Sequence, residues 1–396
     1  MASSRRIQSI DFWRGVVLLV IFIDHVPGNL FSEATPRNFG FSDAAEAFVF
    51  MSGLVLGYIN WPRIERGDAG TVVRACLRRA GQLYAVQVVL ALGALALFGA
   101  AFVASGEPAM LTADNRAAFF DNPTTGLVGT LLLSYQIGYF NILSVYVVLM
   151  IMAAGLFWLM SRSIVAAFAL SGALFVIARF GIMLPSWPVP YTWFLNPIAW
   201  QFLFVIGIAA GALRRSGPLP HSRFLFTAAC LYLVFALAVT TGFFGFGDDA
   251  AGRIASAMEM NKGVLGWSRL LHFLALAYVV SQLRLGDLLL KVPGSGLVTE
   301  LGRQSLSIFA AGSILSAVGQ IVLRLIPRDE NPLAFHLAGV ALVAAGVGLM
   351  IGLAQYLSWR QASSSEPRVP TPVAKRPASA VLAGFGPRQS SSVSSR

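Results

Sequence analysis

The stretch Asp11-Phe-Trp-Arg14-Gly-Val-Val-Leu-Leu-Val-Ile-Phe-Ile-Asp24-His25 is apolar enough to cross a bilayer, yet it carries four ionisable side chains. Ionisable groups at membrane depth are costly and usually mark functional sites. Arg14 and His25 lie eleven residues apart, which in a helix is three turns plus roughly 20°. A helix therefore places both on one face, about 16 Å apart along its axis. On that face, Asp11 lies one turn before Arg14 and Asn29 one turn after His25.

Composition places the whole chain in the same class. Charged residues make up 12% of the chain and apolar residues 56%. Soluble domains carry about 25% charged residues, so the composition indicates an integral membrane protein. The net charge of +11 is concentrated in short loops and the C-terminal tail, which fits membrane topology better than nucleic-acid binding. Cys76 and Cys230 lie in apolar runs without metal-ligand spacing, so we expect neither a structural disulfide nor a metal site.

The apolar runs predict an all-α polytopic membrane protein with about ten transmembrane helices. Their approximate limits are 9–31, 42–61, 80–104, 139–160, 163–183, 196–213, 222–246, 263–283, 302–326 and 333–358. Connections rich in arginine alternate with acidic, mixed or uncharged ones, which predicts that both termini face the cytoplasm.

Two segments fall outside these spans. Residues 124–137 are apolar but short, and they predict a re-entrant or interfacial helix before the fourth span. Residues 362–396 are basic and rich in Ser and Pro, with little to bury, and they predict a disordered cytoplasmic tail. The sequence thus divides into a transmembrane domain, 1–361, and this tail.

Under that orientation, many of the polar side chains of the spans gather near their outer ends. They are Asp24, His25, Asp43, Glu46, Asn141, Tyr146, Trp200, Gln201, Arg269 and His272. A polar chamber just beneath the outer surface would explain them together. Structural alternatives remain open: Asp43 and Glu46 can satisfy a helix N-terminus, His272 can pack against a backbone carbonyl, and Trp200 can anchor the membrane interface.

Arginines form a second group on the predicted inner side. Arg14 is shallow in the first span, Arg78 and Arg79 precede the third, and Arg303 opens the ninth. A basic inner mouth suits an anionic, phosphate-bearing ligand that arrives from the cytosol. For the loop arginines the positive-inside rule is an alternative explanation, whereas Arg14 is embedded.

Several stretches together resemble a known family. Arg14, ten residues and His25 resemble the Arg-x10-His signature of the acyltransferase family 3 membrane proteins. The wider context resembles the OpgC branch, the succinyltransferases of osmoregulated periplasmic glucans. The stretches that carry this likeness are Asp11-Phe-Trp-Arg14-Gly, Gly40-Phe-Ser-Asp43-Ala-Ala-Glu46-Ala-Phe-Val-Phe-Met-Ser52-Gly53, Tyr139-Phe-Asn141-Ile-Leu, Asn196-Pro-Ile-Ala-Trp200-Gln201 and Arg269-Leu-Leu-His272-Phe-Leu-Ala-Leu. The resemblance covers roughly residues 7–361.

The resemblance implies a ten-helix membrane acyltransferase of the bacterial inner membrane. It implies an acyl-CoA donor from the cytosol (succinyl-CoA or acetyl-CoA), a periplasmic glucan acceptor and no permanently bound cofactor. His25 would be the catalytic histidine and Arg14 its motif partner. With Arg14, the arginines Arg78, Arg79 and Arg303 would bind the donor.

Acyl transfer to an alcohol needs a base near neutral pH, and histidine is suited to that role. His25 would take the proton of a sugar hydroxyl while Asp24, Asp43 or Glu46 orients its ring. We favour Asp43 or Glu46, because Asp24 is the direct neighbour of His25 and neighbouring helix residues point about 100° apart. The residues expected to contact the acceptor or the acyl group are Asn141, Tyr146, Trp200, Gln201, Arg269 and His272. Among these, Asn141, Gln201 or Arg269 would stabilise the oxyanion, and Arg269 would bind a succinyl carboxylate.

Two other functions fit the same sequence. One is O-acetylation of another cell-envelope polysaccharide, because the acceptor surface lies in loops whose folding the sequence does not specify. The other is a non-catalytic glycan or lipid transporter, although no paired broken helices mark it. The oligomeric state is left open.

Overall fold

A computed structural model describes residues 2–217, 220–243, 245, 253–254 and 257–365. In these residues the protein is all-helical and has no strand, only an isolated bridge between Pro185 and Thr192. The fold class is therefore confirmed as all-α. The helices are α1 Ala2–Asp24, α2 Ala44–Glu65, α3 Ala69–Ser105, α4 Ala109–Thr112, α5 Ala117–Asp121, α6 Pro123–Leu131, α7 Ile142–Met160, α8 Ile164–Ile177, α9 Pro197–Ser216, α10 Arg223–Thr240, α11 Trp267–Gln282, α12 Leu285–Leu289, α13 Ser295–Arg303, α14 Ser305–Arg324 and α15 Pro332–Ser365.

A helix lies at each of the ten predicted spans, and seven helices of the described chain are long and apolar enough to cross a membrane. These seven are α2, α3, α7, α9, α10, α14 and α15. Of the other three, α8 has 14 residues and α11 has 16, whereas α1 carries Asp11, Arg14 and Asp24 in its apolar part. The protein is thus a multi-pass membrane protein, and the count of ten and the orientation stay predictions.

Helix α1 ends before the limit predicted for the first span. Pro27 has no N–H to continue the helix and Gly28 has a φ of +70°. The Asn29 amide donates to the carbonyl oxygens of Ile23, at 2.9 Å, and Val26. His25 is therefore the first residue past α1, and the expectation that Asn29 extends its polar face is wrong, because Asn29 closes the helix end instead.

Glycines set the packing of α2 against α9. Each helix carries two glycines four residues apart, and a Cβ added to any of them would lie 2.0–2.4 Å from a carbonyl oxygen of the other helix. They are Gly53 and Gly57 on α2, and Gly207 and Gly211 on α9. Small residues at this spacing let two membrane helices approach backbone to backbone. The parallel pair positions the start of α2, where Asp43 and Glu46 lie.

Two more glycines bring α1 against α13. A Cβ on Gly15 would lie 1.9 Å from the carbonyl oxygen of Val298, and a Cβ on Gly302 would lie 1.7 Å from that of Asp11. Because α14 begins two residues after α13 ends, this contact places Arg14 beside Ser305 at the start of α14.

The predicted short helix within 124–137 corresponds to α6, which ends at Leu131. The chain then runs without regular structure to α7. The carbonyl of Phe140 accepts a hydrogen bond of 2.6 Å from Gln87 on α3, which holds the last part of this connection. This segment carries Tyr139 to His25.

The chain divides into two compact units, Met1–Ser358 and Trp359–Arg396. Helix α15 continues to Ser365, past the predicted domain limit at residue 361. Most of the predicted tail, from residue 366 onward, lies outside the described residues.

Candidate active site

Four charged side chains that are distant in sequence meet at the start of α2. Arg269 of α11 donates through Nε to Glu46 Oε1 at 2.7 Å, and its NH2 group lies 3.0 Å from Asp43 Oδ2. The same Asp43 oxygen lies 2.6 Å from Lys262 Nζ. We call Asp43, Glu46, Lys262 and Arg269 the Arg269 cluster. Its two carboxylates and two cations neutralise each other.

The two carboxylates of the Arg269 cluster also cap α2. Asp43 Oδ1 accepts from the backbone N–H of Ala45 at 2.8 Å, and Glu46 Oε2 accepts from the backbone N–H of Asp43 at 2.8 Å. This reciprocal arrangement is a capping box. Each of the four carboxylate oxygens thus has a partner. Asp43 and Glu46 therefore satisfy the N-terminus of a helix, as the structural alternative for them predicted.

His25 lies next to this cluster in a different environment. Its ring packs against that of Tyr139 in a tilted arrangement, with ring centroids 4.7 Å apart and planes inclined by 30°. Its backbone carbonyl accepts a hydrogen bond of 3.2 Å from Gln320 Nε2. Within the described part of the chain, the ring nitrogens of His25 have no hydrogen-bond partner. The Tyr139 ring thus contacts the imidazole without using either of its nitrogens.

None of the three candidate orienting carboxylates hydrogen-bonds the His25 ring. Asp24 accepts from Thr35 Oγ1 at 2.7 Å and lies 3.5 Å from Arg37 Nε. Asp43 and Glu46 are bound within the Arg269 cluster. The expected orienting contact is therefore not formed, because each carboxylate has a cation or hydroxyl partner of its own.

Three of the predicted acceptor residues are packed. The Trp200 side chain is fully buried, and its Nε1 donates to the carbonyl of Lys262 at 3.0 Å, so it supports the segment that carries that lysine. Gln201 is 1% exposed and bonds Ser171. His272 is 5% exposed, and its Nδ1 lies 2.7 Å from Ser42 Oγ. We interpret these contacts as structural.

Asn141 and Tyr146, predicted in one group, separate in the structure. Asn141 precedes α7 and is half-buried; its side chain makes no capping hydrogen bond. Tyr146, one turn into α7, packs against Phe48 and lines a cavity beside Arg14. The Tyr146 ring lies beside Arg14 and Arg79, two of the residues predicted to bind the donor, and its predicted contact with the acceptor stays a prediction.

That cavity is narrow, with a volume of about 20 Å³, and lies between α1, α2, α3, α7 and α14. Two arginines, Arg14 and Arg79, and no carboxylate line it. Its hydroxyl groups come from Ser52, Tyr146 and Ser305. The remaining wall is apolar: Val17, Leu18, Phe48, Met51, Leu143, Leu306 and Phe309. We call this space the Arg14 cavity.

Arg14 is held within the Arg14 cavity by two contacts. Its NH1 group lies 3.4 Å from Asp11 Oδ1, as the spacing predicts, and its NH2 group donates to Ser305 Oγ. Its side chain remains 24% exposed. The guanidinium is therefore fixed in direction and accessible.

The other two predicted donor arginines lie outside the Arg14 cavity. Arg78 is exposed and does not line it, although its neighbour Arg79 does. Arg303 is 46% exposed, pairs with Glu300 at 3.2 Å and lies 3.9 Å from Asp11. Sequence spacing alone did not separate Arg78 from Arg79.

Sequence reasoning missed three side chains near His25: Tyr139, Gln320 and Lys262. Tyr139 starts a stretch that carried the family resemblance, which was the one available signal. Lys262 and Gln320 gave none, since the first is a loop charge and the second a single amide in an apolar helix.

A histidine whose ring nitrogens have no hydrogen-bond partner among the described residues, an arginine-lined cavity and one helix between them form an arrangement suited to group transfer. Imidazole nitrogens without protein partners can take up and release a proton. Two arginines and three hydroxyls are groups that can bind an anion, and the apolar wall beside them can contact an apolar chain.

Comparison with known proteins gives one match. A family model described as OpgC protein matches residues 5–362, close to the 7–361 over which the resemblance extends. No curated protein matches the chain, and no solved structure does. Since the matched residues include nearly the whole chain and the site described above, the chain belongs to the OpgC protein family.

Proposed function

We propose that the protein is a transmembrane O-acyltransferase that moves a succinyl group from cytosolic acyl-CoA to a hydroxyl of a periplasmic glucan. Membership of the OpgC family indicates an acyltransferase that acts on glucans. The succinyl group, the acyl-CoA donor, the inner-membrane location and the place in acyltransferase family 3 are parts of the proposal. The observation that carries it is the His25 ring, which packs against Tyr139 and whose nitrogens have no hydrogen-bond partner among the residues that the structure describes.

His25 acts as the general base. It takes the proton of the acceptor hydroxyl while the hydroxyl oxygen attacks the thioester carbonyl. The resulting tetrahedral intermediate collapses, the carbon–sulfur bond breaks, and the departing thiolate takes the proton from the imidazolium. One ester forms, one thioester breaks, and the histidine returns to its starting state. This sequence needs no acyl-enzyme intermediate.

The Arg14 cavity binds the donor. Arg14 and Arg79 supply charge for phosphate groups, and the hydroxyls of Ser52 and Ser305 add hydrogen bonds. The apolar wall suits the pantetheine arm. The axial offset of about 16 Å between Arg14 and His25 is comparable to the length of that arm, so one donor can reach from the phosphate groups to the base.

Asn141 is our choice for the oxyanion donor. Gln201 is engaged with Ser171, and the charge of Arg269 is paired with Asp43 and Glu46. Asn141 is half-buried, lies two residues from Tyr139, and its amide makes no capping bond. An amide N–H is a suitable donor for a developing oxyanion.

A reconstituted assay tests the proposal. Purified protein in lipid vesicles is given succinyl-CoA or acetyl-CoA and a glucan; thiol release and the mass of the glucan are measured. His25→Ala should lower turnover by about 10²–10⁴-fold. His221→Ala is the matched control, because His221 is exposed and contacts Gln282 instead.

Each outcome has a distinct meaning. Wild-type turnover in His25→Ala would contradict the base. Glucan that gains only acetyl groups would contradict the succinyl donor. If the wild-type protein releases no thiol but moves glycan or lipid across the vesicle membrane, the transporter alternative holds.

A further inference from the structure

Tyr139 makes the only aromatic contact of the His25 ring among the described residues. The centroid distance of 4.7 Å is within the range of stacked and tilted pairs. A face contact fixes the plane of an imidazole without using its nitrogens. A carboxylate orienter, in contrast, would occupy one nitrogen.

Gln320 holds the backbone of the same residue. His25 lies just past α1, where the last carbonyls of a helix lack intrahelical donors. Asn29 satisfies the carbonyls of Ile23 and Val26, and Gln320 Nε2 satisfies that of His25 at 3.2 Å. The amide of Gln320 therefore fixes the position from which the His25 side chain projects.

Tyr139 and Gln320 also belong to one continuous surface. Both line one shallow crevice, together with Phe98, Arg116, Ile137, Gly138 and Phe140. Gln320 comes from α14 and Tyr139 from the connection before α7. Two separate parts of the chain thus contact His25, one at its ring and one at its backbone carbonyl, and the carboxylates Asp24, Asp43 and Glu46 have other partners.

We infer that Tyr139 and Gln320 are the positioning residues of His25: the first fixes its ring plane and the second its backbone. This inference rests on the proposed function, in which His25 is the base. It replaces the acid–histidine arrangement expected from the sequence with an aromatic one. Misplacement of a reacting group by about 1 Å can cost 10²-fold in rate, so the effect should be on turnover.

The test compares two variants at Tyr139 in the vesicle assay. Tyr139→Leu removes the ring and should lower kcat by about 10–100-fold, with KM for acyl-CoA and for glucan within about threefold of wild type. Tyr139→Phe keeps the ring and should restore kcat to within about threefold, because the stack does not use the hydroxyl. Tyr191→Leu, at an exposed tyrosine away from the site, is the control.

Gln320→Leu supplies an independent measurement. It should lower kcat by about 3–10-fold with both KM values unchanged, since it removes one hydrogen bond of about 1 kcal/mol. Variants are compared at equal amounts of monodisperse protein from size-exclusion chromatography. If Tyr139→Leu yields no such protein, the decision rests on Gln320→Leu.

The inference is overturned if Tyr139→Leu keeps the wild-type kcat. It is overturned as well if the only change is a higher KM for glucan, which would mean that Tyr139 binds the acceptor sugar. It is also overturned if Tyr139→Phe loses as much turnover as Tyr139→Leu. In each of these cases a simultaneous loss of turnover in His25→Ala leaves the proposed base intact. Full turnover in His25→Ala removes the base itself, so the two failures are distinguishable.

Discussion

Near the start of helix α1 the guanidinium of Arg14 faces a cavity. Beyond the end of α1, in the Arg269 cluster, the carboxylates are paired with cations. Arg14 and Arg79 line the Arg14 cavity without a carboxylate among its lining residues. In the Arg269 cluster, two carboxylates and two cations meet at distances of 2.6–3.0 Å. Charge alone therefore does not identify a ligand site in a membrane protein. A charged group that faces a cavity is available to a substrate, whereas one that is fully paired with other side chains is not.

The difference assigns separate tasks to the two regions. The Arg269 cluster joins the start of α2 to α11 and to the segment of Lys262. It holds these three parts of the chain together. Trp200 donates a hydrogen bond to the backbone carbonyl of Lys262. In the proposed function, the Arg14 cavity supplies the positive charge for a phosphate group of the donor. The following predictions test this division.

The largest effect is expected from Glu46→Gln, which breaks the Arg269 cluster. Glu46 is fully buried, and its loss leaves Arg269 and Lys262 to share Asp43. Breaking a buried ion pair on one side costs roughly 3–5 kcal/mol. The free energy of unfolding, measured by denaturant titration in detergent micelles, should fall by that amount.

A double variant provides the matched control. Glu46→Leu combined with Arg269→Met removes both charges and should recover most of the lost stability, because no unpaired buried charge remains. If Glu46→Gln instead folds normally and loses only kcat, Glu46 is a catalytic carboxylate and the division between the two regions is wrong.

A smaller and different effect is expected in the Arg14 cavity. Arg79→Gln should raise KM for acyl-CoA by about 10–100-fold with little change in kcat, since a hydrogen bond to a charged group contributes about 1.5–3 kcal/mol. Arg78→Gln should raise it by about threefold or less, because Arg78 is exposed outside the cavity. Equal increases in KM would mean that the whole inner surface attracts the donor, without a defined cavity.

The helices were largely predictable from sequence because each apolar run is long enough to require a helix in a bilayer. For helix α1 only the predicted C-terminal limit was wrong, because Pro27 and Asn29 end the helix earlier. The glycine contacts between α2 and α9 were not predicted. A glycine pattern shows that close approach is allowed but not which helix approaches.

The roles of the carboxylates could not be derived from the sequence for a related reason. The partners of Asp43 lie 219 and 226 residues away, and nothing local indicates them. Asp11 and Arg14 were expected one helical turn apart on one face, and their side chains lie 3.4 Å apart in the structure. Local spacing thus predicts contacts within a helix, and the choice between a structural and a functional charge depends on contacts between helices.

The smallest effect is expected from Arg303→Gln, at the edge of the Arg14 region. Arg303 is 46% exposed, and its nitrogen lies 3.9 Å from Asp11, so solvent screens this pair. Asp11 keeps its contact with Arg14 when Arg303 loses its charge. KM for acyl-CoA should therefore rise by about threefold or less, in line with the roughly 0–1 kcal/mol of an exposed ion pair. An increase as large as that of Arg79→Gln would show that Arg303 binds the donor directly, and the region of available charge would then extend from the Arg14 cavity to the protein surface.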